Sequence, residues 1–199
     1  MKDEMLTFKR NALLGNISGQ PLCSDFKSAW RQCGDDKEML VRLASMQQSL
    51  PYLCTACYKN LGLTKEYILK NFGEFINGNK TLTDVEGVSG YTYQLYVGYD
   101  EDFAISADVT SLMWMCGCAV TIPQTKCSTI YVSNSSDVHI YCEGYNSPHI
   151  YLFDNSKVTI EDSDDTCNVT IYKYSEKATV ELGKFCLKEP KVFNKELRL

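Results

Sequence analysis

At 199 residues the chain suits one domain or two small ones and is long enough to bury a core. Its hydrophobic fraction of 44% and charged fraction of 23% are ordinary for a globular protein. A net charge of −5 and a pI of about 5.1 leave no basic footprint for nucleic acid or anionic lipid, and no apolar run approaches the roughly 18 residues of a membrane helix.

The first residues, MKDEMLTFKRNALLGNISG, carry acidic groups early and no continuous apolar stretch, so no secretory signal is expected. The 10 cysteines then read as reduced thiols of a cytosol, and the sequons at Asn16, Asn79, Asn134 and Asn168 as chance matches. CSDFKSAWRQCG predicts a short helix. Asp35-Asp36 opens a second over DDKEMLVRLASMQQS, with Met39, Leu40, Leu43 and Met46 on one stripe. Pro51 starts a third, PYLCTACYKNLG, which Gly62 ends. Thr64 is the expected N-cap of TKEYILKNFGEFI, where Tyr67, Ile68, Phe72, Phe75 and Ile76 recur at helical spacing. INGNKTLTDVEGVSG reads as a boundary loop.

Beyond about residue 90 the apolar period falls from 3.6 to 2. Five stretches align: LYVGYDEDFAI, LMWMCGCAVTI, IYVSNSSDVHI, IYLFDNSKVTI and IYKYSEKATV. They start at Leu95, Leu112, Ile130, Ile150 and Ile171, spaced by 17, 18, 20 and 21 residues. Each holds two short strands around a polar turn rich in Asn, Asp and Ser. Such a period predicts a solenoid whose units bury apolar faces against their neighbours. The expected fold is therefore α+β: a helical region or cap over 1–85, a parallel β-solenoid of about five coils over 90–184, and a tail or end cap over 185–199. An antiparallel sandwich or meander is the alternative. Lys173 occupies a position where Val97, Trp114, Val132 and Leu152 are expected to point inward, as if the last coil faced less core.

The repeat places Tyr96, Tyr131, Tyr151 and Tyr172, with Met113, in one outward column. An aromatic ladder can hold sugars, peptides or bases by stacking. It can equally pair with itself or lie under the helices. Acidic turns at Asp100-Glu101-Asp102 and over residues 161–165 match no calcium loop and read as solvated. Cys54/Cys57 and Cys116/Cys118, with Cys127, lack the second pair or nearby His that structural zinc requires. His139 and His149 are the chain's 2 histidines, and no nucleophile motif accompanies them. No catalytic residue, metal site or cofactor is expected.

The layout resembles that of a loosely defined set of phage- and prophage-encoded proteins of gut Bacteroidales. A Cys/Trp-containing helical start (LCSDFKSAW) precedes strand repeats of the IYVSNSSDVHI and IYLFDNSKVTI type. The resemblance implies a phage setting and a structural or host-interaction role, and no more. The expected location is the host cytoplasm or the virion, and the leading expectation is a non-enzymatic module. Tyr96, Tyr131, Tyr151 and Tyr172 would then contact a protein partner or a second copy. The alternatives are a carbohydrate-active β-helix enzyme using acids such as Asp102 or Asp137, and an inhibitor of a host defence protein.

Overall fold

The computed structural model describes residues 4–14, 24–45, 63–83, 92–103, 111–116, 119–125, 129–142, 144–162, 166–184, 186 and 188–195. Helices form where capping chemistry permits. They are α1 (Glu4–Leu14), α2 (Ser24–Gln32), α3 (Lys37–Ser45) and α4 (Lys65–Phe72), and a 3-10 turn, Gly73–Phe75, follows the last. The Asp36 carboxylate accepts from the Met39 amide at 3.0 Å, and Thr64 Oγ1 accepts from the Tyr67 amide at 3.2 Å. Each satisfies an amide that the first helical turn leaves without an internal partner. Thr64 also donates its own amide and hydroxyl to Glu4 Oε2, at 2.7 and 2.9 Å, tying α1 to the start of α4. The helix expected from Pro51 lies outside the described residues.

The strands are β1 (Leu82–Thr83), β2 (Thr92–Val97), β3 (Ser111–Cys116), β4 (Ala119–Thr125), β5 (Thr129–Ser133), β6 (Asp137–Cys142), β7 (His149–Leu152), β8 (Lys157–Asp162), β9 (Thr170–Lys173), β10 (Thr179–Leu182) and β11 (Lys191–Asn194). They build a seven-stranded sheet in the order β1-β2-β3-β5-β7-β9-β11 and a four-stranded sheet in the order β10-β8-β6-β4. From β3 onward the chain alternates between the two sheets. Every pairing except β1–β2 is parallel. The architecture is thus α+β with parallel sheets, and the described strands do not form the antiparallel alternative.

Pairing follows the repeat. Ile130 stands beside Ile150, Ile150 beside Ile171, and Ile171 beside Val192. Val138 and Ile140 stand beside Val158 and Ile160. All of these except Val192 face one another between the sheets as one core, with Val132, Leu152, Cys142 and Ala178. The polar turns close as expected: Ser136, Ser156 and Ala178 donate back to the carbonyls of Ser133, Phe153 and Ser175 at 3.3, 3.1 and 3.2 Å. Asn134 and Asp154 hold equivalent turn positions at φ 60° and 56°, a conformation that Asn and Asp tolerate better than most residues. In β4 the register shifts between Ile122 and Thr125, around Pro123, which has no N–H to give a ladder.

A second core joins the helices to the outward side of the larger sheet. Trp30, Phe8, Leu40, Leu43, Ile68 and Phe72 from the helices meet Leu95, Val97, Tyr131 and Phe153. Here the first repeat departs from the alignment. Gln94, rather than Leu95, pairs with Leu112, so β2 sits one residue out of step with the IY units. A one-residue shift exchanges the two faces of a strand. Leu95 and Val97 therefore turn outward to the helices, while Tyr96 turns inward. The stretch over 185–199, expected as a tail or end cap, supplies β11.

Candidate functional site

Parallel pairing sets equivalent residues about 4.8 Å apart, which is the distance at which aromatic rings stack. On the outward side of the larger sheet the register puts Tyr131, Tyr151, Tyr172 and Phe193 in one column. Their centroids are 4.6, 5.0 and 5.7 Å apart, with interplanar angles of 14°, 24° and 21°. A second column runs beside it, where Phe153 and Tyr174 stack at 5.1 Å and 6°. Before it, His149 lies against Tyr172 at 5.8 Å and 14°. Lys195 places its ammonium 5.7 Å from the Tyr172 ring and 5.8 Å from the Phe193 ring, in cation–π range.

Three of the four expected tyrosines share this column. Tyr96 does not, because the shift in β2 sends it into the core between the sheets, where it is 4% exposed. It stacks on Phe103 at 4.0 Å and meets Tyr99 edge-on at 5.3 Å. Its hydroxyl donates to Gln94 Oε1 at 3.0 Å. Burial, followed by the neighbouring Tyr99, pushes its pKa up to about 12. Tyr96 thus fills core beside β2 rather than offering a contact.

The column is also graded along its length. Tyr131 is 3% exposed and Phe153 is 2% exposed, both within the core shared with the helices. Tyr151 and Tyr174 are half-buried against that core. Burial, with the adjacent tyrosines, raises the pKa of both and keeps their hydroxyls protonated. Tyr172 is half-buried, and Phe193 is 45% exposed. Among the described rungs, exposure is therefore greatest at the β9–β11 end of the ladder.

Stacking has a second consequence. Each inner ring has neighbouring rings on its faces, so solvent meets ring edges and hydroxyls. A sugar or base cannot lie flat on Tyr151 or Tyr172 without parting the stack. The outer face of Phe193 is where the ladder can be extended.

The outward side of the smaller sheet is polar. Lys157 bridges Asp137 at 3.7 Å and Glu181 at 3.0 Å, and these carboxylates raise its pKa. His139 stacks on Tyr141 at 4.7 Å and points Nε2 at Glu161 Oε1, 3.5 Å away. Glu161 is buried and folds over Gly183, filling the space a Cβ there would need. Asp137 starts β6, whereas Asp102 lies exposed on the loop after β2, in a different layer. Among the described residues no cluster of His, Cys, Asp or Glu is placed to hold a metal, and no helix is long and apolar enough to cross a membrane. Cys54, Cys57, Cys118 and Cys127 lie outside the described residues. Cys142 and Cys167 are buried, and Cys33 and Cys186 are partly exposed.

The sequence reading missed Phe193, Tyr174 and Phe153, and it did not place His149 beside the ladder. For Phe193 a signal was present. Val192 follows Ile171 by 21 residues, the same step that separates Ile150 from Ile171, and Val-Phe then takes the place of Ile-Tyr. No protein-family model, curated protein or solved structure matches this chain.

Proposed function

We propose that the chain is a non-enzymatic structural or interaction module, phage-associated, working in the host cell or the virion. In this reading the two parallel sheets are the walls of a short β-solenoid. The helices cover its outward aromatic column at the first strands, and the uncovered end of that column contacts a protein partner or a second copy. The observation that carries the reading is the gradient along the column, from buried Tyr131 to half-exposed Phe193. Contiguous exposed apolar and aromatic surface beside polar groups is the usual mark of a contact site.

The test compares capture of proteins from host lysate and purified particles by the native chain and by the double variant Tyr172→Ser, Phe193→Ser. A Tyr145→Ser variant, at a 97% exposed site off the column, serves as control. The proteins held by the native chain and the control should be lost from the double variant while its melting curve persists. Equal capture by all three would discard the site.

A further inference from the structure

The two ends of the parallel stack are finished differently. Beside β2, the core between the sheets is filled by Tyr96, with Phe103 and Tyr99 packed on it. At the other end lie β10 and β11, each paired on one side only among the described strands. Leu182 and Val192 extend the inward columns of Ile160 and Ile171. They face where a further layer would lie, and each is 46% exposed. With Phe193, they make up three of the six large hydrophobic side chains exposed among the described residues. All three sit on the last two strands.

We infer that this open end is a self-association surface on which a second copy of the chain docks end to end. The inference rests on the reading of the uncovered column end as a contact site and names its occupant. Charge selects that occupant. β11 presents Lys191, with Lys195 just beyond it, on the outward side, while β10 presents Glu181. A partner of one sign would be drawn to one strand and repelled by the other. A second copy related by a two-fold axis can lay its β11 against β10 and its β10 against β11. That places lysines on a glutamate twice over and covers Leu182 and Val192 of both copies. Glu181 already meets Lys157 but keeps 57% of its side chain exposed. The free edges of both strands, otherwise a template for uncontrolled pairing, are closed by the same contact.

Sedimentation equilibrium across a wide concentration range tests this. The native chain should show twice its 22.5 kDa mass. Leu182→Glu with Val192→Glu should return a monomer with a retained melting transition. Because those changes also touch the core, charge reversal supplies the second arm. Glu181→Lys alone, and Lys191→Glu with Lys195→Glu, should each be monomeric, and mixing the two should restore the dimer. A native monomer, or a dimer indifferent to these changes, overturns the inference. A native monomer that still captures a host protein through Tyr172 and Phe193 leaves the binding-module reading standing. A monomer that captures nothing through them ends both.

Discussion

Ser156 illustrates what a repeat does to a single residue. Its side chain points into the core at the turn before β8, fully buried, and Oγ has no hydrogen-bond partner among the described residues. The equivalent position in the next unit is Ala178, also fully buried. A buried hydroxyl without a partner costs about 1–3 kcal/mol, so Ser156→Ala should raise unfolding stability by about 1 kcal/mol, read as a higher denaturation midpoint. An unchanged or lower midpoint would mean the hydroxyl is satisfied. Tyr96 marks the limit of residue-scale reading. In sequence it matches the Ile-Tyr units, yet its strand is set one residue out of step. That choice depends on Leu95 and Val97 finding the helical core, a contact far away in sequence.

At the scale of elements, caps and turns were the most legible features because their chemistry is local. Asp36 and Thr64 cap α3 and α4 from the positions their side chains suggest. Thr64 does more than its position indicates, since it also donates to Glu4. Thr64→Ala should therefore exceed the roughly 1 kcal/mol of an ordinary lost cap. Glu4→Ala, which leaves the cap to Tyr67 intact, should cost less. Chemical denaturation of both variants checks the order, and equal losses would show that the Glu4 contact dominates. β11 was hidden for the opposite reason: a charged run around Val192-Phe193 reads as tail unless the 21-residue step is carried once more.

For the molecule as a whole, the outward column serves two purposes at once. Its first rungs are core beneath helices and its last rungs are surface. Alternation alone gives every rung the same character, and only the placement of the helices divides them. The division is measurable. Tyr131→Ser should cost about 3 kcal/mol, in the range of large-to-small core changes. Phe193→Ser should cost under about 1 kcal/mol. Similar losses from the two would show that the column is covered throughout. The polar side of the smaller sheet, with Lys157 between two carboxylates, contributes little by comparison because its ion pairs are largely exposed.

The difference between the two finished ends also sets an order in time. Opening should begin where strands have one neighbour and half-exposed side chains, at β10 and β11, and retreat layer by layer toward the helices. Amide exchange should thus slow progressively from Val192 through Ile171 and Ile150 to Ile130. The chain would carry a clock along its length, and anything that seats on the open end would stop it.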